Sequence, residues 1–178
     1  MNPASLIRCL GCCLCLLGTA AVAGPSTNSA GDDLAAQGDT LKAQGKTADA
    51  LAAYRQAAQA GSVSGAFAAG EILFASGRLG GGREQVLELA EGLGHLYFAA
   101  TNRHPQACVL LSEALAAGLG VRTNLAAAYA WLQVAATLDP SLGTDLDRLG
   151  VRLEPNDILR GQKIARDYLA GRWPSRVA

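Results

Sequence analysis

The chain has 178 residues, of which 35 are alanine and only 20 are valine, isoleucine or threonine; half are hydrophobic and 5% are aromatic. So thin a supply of β-branched and aromatic side chains excludes an ordinary β-protein, and alanine and leucine, which lose little entropy in a helix, point to an all-α fold. Fifteen basic against fifteen acidic residues leave no overall field to draw nucleic acid or an anionic membrane surface, and the length suits one domain.

In chain order, residues 1–23 read as an export signal peptide. Arg8 supplies the positive charge, Cys9 to Thr19 an uncharged apolar run, and Ala21-Val22-Ala23 the small residues of a cleavage site before Gly24. The uncharged stretch from Cys9 to Ala23 is 15 residues, short of the ~20 that a spanning helix needs, so no stable membrane span is expected after cleavage. An uncleaved anchor, or a lipoprotein formed at Leu10-Gly11-Cys12, is the alternative. Four of the five cysteines (Cys9, Cys12, Cys13 and Cys15) fall inside this signal, which explains the Cys9-x-x-Cys12 spacing better than zinc or redox chemistry does. The mature chain keeps Cys108 alone, leaving no intramolecular disulfide. Its formal charge is −1, from 14 basic and 15 acidic residues. Residues 24–31, GPSTNSAG, form a flexible polar leader without periodicity.

From Asp32 onward, glycines and capping residues divide the chain regularly. The expected helices are 32–44, 47–60, 63–77, 83–101, 104–117, 124–138, 142–150 and 155–169, with a tail at 171–178. Thr47, Ser62 and Asn124 fit N-caps, Pro105 and Pro155 fit first turns, and Gly45, Gly61 and Gly118 fit C-terminal stops. All the connections are short, so successive helices should lie antiparallel.

Internal periodicity carries more information. In the first pair, Gly38 and Gly45 are followed by Ala50, Tyr54 and Ala57, small–large–small on one helix face, as needed to receive a ridge from a neighbour. This spacing resembles the tetratricopeptide repeat. In the third pair, Ala107-x3-Leu111-Ser112-x2-Leu115-x2-Gly118-x-Gly120-Val121-x2-Asn124-x3-Ala128-x2-Trp131-x3-Ala135-Ala136 resembles the related Sel1-like repeat, with Ser112 and Leu115 where that family has its usual glycine and tyrosine. The second pair is degenerate: Ala69-Gly70 and Leu73 fit its first helix, and Ala99-Ala100 ends a longer second one. The last pair resembles the capping helices of such arrays. Over residues 32–170 the resemblance implies a right-handed α-solenoid of about four antiparallel helix pairs, with Trp131 packing between units.

Candidate chemical motifs give way to this repeat. Gly38-x6-Gly45-Lys46-Thr47 has six residues where a phosphate loop needs four, and lies in helix rather than after a strand. Gly80-Gly81-Gly82 is a loop between helices. Gly61-Ser62-Val63-Ser64-Gly65 carries valine where a nucleophile elbow needs serine. His95 and His104, with one cysteine, lack the ligand number and spacing of a metal site. His104 reads as a cap residue and His95 as a helix-face one. Cys108 reads as a small buried apolar residue, with an exposed thiol forming an intermolecular disulfide as the alternative. No catalytic, cofactor or metal residue is therefore expected.

One pattern suggests a binding face. Asp39 follows Gly38, Glu71 follows Gly70 and Glu113 follows Ser112, each acidic residue coming directly after the small packing residue. In the arrays that the resemblance implies, this position faces a concave groove lined by the first helices. Three carboxylates would line it, with Asp32 and Lys42 nearby and Phe67 and Phe74 as apolar contacts, favouring a partner segment that carries lysine, arginine or a free amino terminus. The resemblance implies a non-catalytic protein- or peptide-binding adaptor or scaffold of the bacterial envelope, most simply periplasmic. The first alternative is a structural subunit of an envelope assembly such as secretion or exopolysaccharide machinery. The second is the penicillin-binding or β-lactamase activity credited to some cysteine-rich Sel1-like proteins, which the lack of a cysteine pair and of any Ser-x-x-Lys sets aside.

Overall fold

The computed structural model describes residues 29–80 and 82–172. The expected export signal, the expected leader up to Asn28 and the expected tail beyond Arg172 lie outside them. Among the described residues there are eight α-helices, one 3-10 turn and no strand: α1 (Ser29–Ala43), α2 (Thr47–Gln59), α3 (Val63–Arg78), α4 (Arg83–Thr101), α5 (Pro105–Ala117), α6 (Leu125–Leu138), the turn Pro140–Leu142, α7 (Gly143–Gly150) and α8 (Pro155–Leu169). Ser29 to Gly31, expected in the leader, already belong to α1.

The helix ends follow local chemistry. The Ser62 hydroxyl accepts the Gly65 N–H at 3.2 Å, the Asn124 side-chain oxygen accepts that of Ala127 at 3.0 Å, and His104 Nδ1 that of Ala107 at 3.4 Å. Each satisfies a backbone donor that a first turn leaves unpaired. Thr47 departs from expectation: it is already the first helical residue, and the preceding Lys46 makes no side-chain cap. Gly45, Gly61 and Gly118 all stop their helices at left-handed φ angles of 76°, 87° and 71°. At the end of α4 the same turn is made by Arg103, at φ 66°, where a side chain costs about 1–2 kcal/mol.

Helices α1–α2, α3–α4 and α5–α6 pack as antiparallel pairs, joined in series by contacts of α2 on α3 and α4 on α5, with α1 also touching α3. This is an α-solenoid, in which each unit covers the apolar face its neighbour cannot bury alone. The end of the array is built differently. The short α7 lies on α6 and the 3-10 turn, while α8 packs along α6 and closes the core there.

Small residues set the spacing. A Cβ on Gly38 would fall 2.5 Å from Tyr54 Cε1, so this mid-helix glycine makes room for the ring. Between α3 and α4 three glycines interlock. A Cβ on Gly70 would lie 2.8 Å from Leu96 Cγ, one on Gly77 2.8 Å from Leu89 Cβ, and one on Gly92 2.9 Å from both Leu73 Cβ and the Phe74 amide nitrogen. Ala66, Ala69, Ala99, Ala100 and Ala107 are fully buried beside them, so the pair that looked least regular is closely packed. Trp131, 6% exposed, sits edge-on to Tyr97 (6.1 Å between ring centres) and tilted against Tyr168 (5.3 Å). The Tyr168 hydroxyl donates to the Ala100 and Thr101 carbonyls, each at 3.0 Å, tying α8 to the end of α4. Cys108 is buried, and burial pushes its thiol up to about 12, which makes it a packing residue and not an exposed disulfide partner.

Two measurements check this packing. Trp131→Ala is expected to cost about 3–5 kcal/mol in urea unfolding, the range for emptying a buried aromatic site. Gly92→Ala and Gly94→Ala, two residues apart on α4, are expected to act in opposite directions. The first meets stiff backbone and loses about 1–3 kcal/mol. The second meets nothing within 4 Å and gains up to about 1 kcal/mol of helix propensity.

Candidate functional site

The carboxylates expected along the first helices are each engaged by the protein itself. Tyr54, buried in the α1–α2 pair, donates its hydroxyl to Asp39 at 2.6 Å. Burial, and then this bond, pushes the Tyr54 phenol well above its ordinary range. Glu71 on α3 accepts Lys42 from α1 at 3.0 Å, and Glu113 on α5 accepts Arg78 from α3 at 2.7 Å. Asp32 accepts the Ser62 hydroxyl at 2.8 Å, backing the cap of α3. Glu71 and Glu113 keep 45% and 40% of their side chains exposed, so a basic group could reach them, but only in competition with Lys42 and Arg78.

The two aromatic residues of that face divide. Phe67 is half-buried and stacks on His104, with ring centres 4.1 Å apart and planes at 20°. Phe74 must be corrected: it is 2% exposed, and the Arg78 guanidinium lies 5.5 Å above its ring centre. It belongs to the core and offers no partner contact. Its place one turn after Gly70 puts it on the packing side of α3.

A further bridge escaped the sequence. Arg55 on α2 makes a two-pronged bond to Glu91 on α4, at 2.7 and 2.8 Å. The Arg55 guanidinium holds the Glu91 carboxyl below its usual range, and His95 Nε2 stands 3.6 Å from the same carboxylate. Arginine meets a carboxylate in this planar geometry better than lysine does. Together with Lys42–Glu71 and Arg78–Glu113, it joins each unit to the next. Among the described residues no three of histidine, cysteine, aspartate and glutamate gather where they could hold a metal ion. None of the helices described is long and apolar enough to cross a membrane.

The site that the sequence did not indicate is an apolar trough. It runs between α4 on one side and α6 with α8 on the other, over α5, and holds about 570 Å³. Leu93, Tyr97, Leu111, Leu115, Trp131 and Ile164 line it, with Asn124 as the one polar side chain besides the aromatic heads. Tyr97 and Val121 at its edge remain 38% and 39% exposed. The turn that closes it owes its shape to Gly118 and Gly120, both left-handed. A Cβ on Gly120 would press on Leu89 and Leu93, each at 3.0 Å. The Gly-x-Gly of the repeat thus seats the loop against α4 and shapes one end of the trough.

His104 supplies a pH test of this region. Burial pushes its imidazole below the ordinary value near 6.5. The folded chain binds that proton less readily than the unfolded chain, so stability present above about pH 6.5 is lost as the pH falls through the depressed value. Tm is expected to fall between about pH 7.5 and pH 5, and to fall less in His104→Asn, which keeps a capping acceptor but does not titrate.

No family model matches the chain, and no curated protein matches it. Among solved structures, it is similar to a protective antigen of uropathogenic Escherichia coli strains that displays a Sel1-like repeat fold. The TM-score is 0.66 at 17% identity, over 83% of this chain. The chain spans 34% of that protein's length, about a third. At that identity the likeness speaks for architecture, and it agrees with the helix pairs and Gly-x-Gly turn described above: the fold is that of a Sel1-like repeat array.

Proposed function

We propose that the protein is a non-catalytic scaffold that binds another protein or peptide, exported from a bacterial cytoplasm and working in the envelope. The apolar trough carries this reading. An open, largely uncharged channel of about 570 Å³, lined by apolar side chains of four helices, supports it, because contiguous apolar surface left exposed marks interaction sites. The fold supports it, since helical arrays present extended surfaces on stacked units, although a fold alone does not assign a function. At the first-helix face, Glu71 and Glu113 would exchange Lys42 and Arg78 for a lysine, an arginine or a free amino terminus of the partner. Export is supported by the charged, apolar and small-residue order of residues 1–23.

A second reading, a structural subunit of an envelope assembly, has one observation in its favour. Leu79, Val86 and Leu87 are exposed at 90%, 56% and 62% where α3 passes to α4. A clamping subunit would cover them permanently.

Three readouts test these readings together. Periplasmic extract should contain the protein beginning at Gly24 by mass spectrometry. Immobilised protein should retain a discrete partner from envelope extract, and the purified protein should leave nitrocefin intact. Turnover of nitrocefin would overturn the non-catalytic reading, and an empty resin the scaffold reading. Fixed-stoichiometry co-purification with a large assembly would favour the subunit.

A further inference from the structure

We infer that the trough between α4 and α6 seats an amphipathic α-helix of another protein, one that carries acidic residues beside its apolar stripe. This rests on the protein-binding reading above and names the partner's chemistry at that site. Leu87, Ala90, Gly94 and Tyr97 recur at intervals of three, four and three residues on α4, all of them exposed, so the trough continues as a stripe along one helix face. Spacing of that kind receives the ridge of another helix. The walls are helices whose backbone groups are already paired, so they offer no edge to an extended strand, and recognition falls to side chains in a groove.

Gly94 is the second observation. The other glycines well inside α3 and α4 have an internal reason: Gly70, Gly77 and Gly92 would each drive a Cβ into the neighbouring helix. Gly94 lines the trough, and a Cβ there would meet nothing within 4 Å. A glycine at such a place weakens the helix and serves no packing need of the chain itself. It leaves room for a partner's backbone to come close, as Gly92 leaves room for α3.

Charge selects the partner's sign. Arg122 follows Val121 in the loop at the trough's edge, Lys163 precedes Ile164 on α8, and Arg83 stands one turn before Leu87 at the start of the stripe. All three are exposed, and none pairs with a carboxylate among the described residues. Helix α6 has no charged residue, and the only one on α5, Glu113, is held by Arg78. On α4, Glu91 is held by Arg55 and Glu88 accepts the Ser76 hydroxyl, which leaves Glu84 as the exposed carboxylate beside Arg83. A partner helix with aspartate or glutamate flanking its apolar stripe meets these cations. A second copy of this chain would bring the same cations against them across a two-fold axis.

The test is a selection from a displayed library of randomised helical peptides on the immobilised full chain, followed by affinity measurement on variants. Enriched peptides are expected to show apolar residues at i, i+3, i+4 and i+7 with acidic flanks. Gly94→Leu, whose side chain enters open space and leaves the circular dichroism spectrum unchanged, should weaken them about tenfold or more. Arg122→Glu with Lys163→Glu should shift the preference towards basic flanks. Basic peptides that ignore Gly94→Leu but are lost on Glu113→Lys would overturn this inference and leave the scaffold reading standing at the first-helix face. A dimer of the protein that Gly94→Leu dissolves would make a second copy the occupant, and binding to anionic vesicles abolished by Gly94→Leu would make it a membrane; either overturns the proposal. Failure to enrich any peptide would count against both readings.

Discussion

How closely two helices can approach is the constraint on which the rest of this structure depends. Gly70 and Gly77 on α3 meet Gly92 and Leu89 on α4 with no space for a methyl group. Alanines do the same work with less reach at Ala66, Ala69, Ala99, Ala100 and Ala107, all fully buried. The few large rings are then placed where a small residue stands opposite. Tyr54 lies over Gly38, and Tyr129 over Gly161 on α8, where a Cβ would come within 2.9 Å of its ring. A core so poor in aromatic residues stays dense where rings such as those of Tyr54 and Tyr129 meet a matched recess.

Polar interactions serve a different level of the architecture. Within a pair, burial of small residues holds the helices together. Between units, ion pairs cross from one pair to the next: Lys42 to Glu71, Arg55 to Glu91 and Arg78 to Glu113. They are partly exposed, so each adds little stability. Their partners are fixed in position by packing, however, and a slip of one unit along the next would break them. They mark the register of stacking more than its strength.

Much of the fold was readable because the signals that set it are local. Glycine stops, Ser62 and Asn124 as caps, and the Gly118-x-Gly120 turn act within a few residues of themselves, and the helix limits came out within three residues. The binding surface was harder for the opposite reason. Spacing along α1, α3 and α5 tells which positions avoid the core of their own pair, but not what arrives from the next. Lys42 reaches Glu71 from 29 residues away, so carboxylates read as open acids are in fact members of pairs. Phe74 was misplaced although its distance of one turn from Gly70 held the clue. The trough draws on α4, α5, α6 and α8, and no periodicity links four separate helices. The only local trace of it is Gly94, a second glycine close after Gly92 in a helix that needs only one.

The ion pairs also give the array unequal joints. Between the first and second units, Lys42–Glu71 joins the first helices and Arg55–Glu91 the second. Between the second and third units, the charged brace Arg78–Glu113 joins only the first helices. On the other side, the Tyr168 hydroxyl fastens α8 to the last turn of α4. The joints differ in their apolar cores as well: one continuous buried cluster runs from α3 to α8, whereas the first pair meets α3 in a separate small cluster of Ala50, Tyr54 and Ala69. The second and third units and the closing helix thus share one interior, and the first pair keys onto it through the Tyr54 ring and two salt bridges.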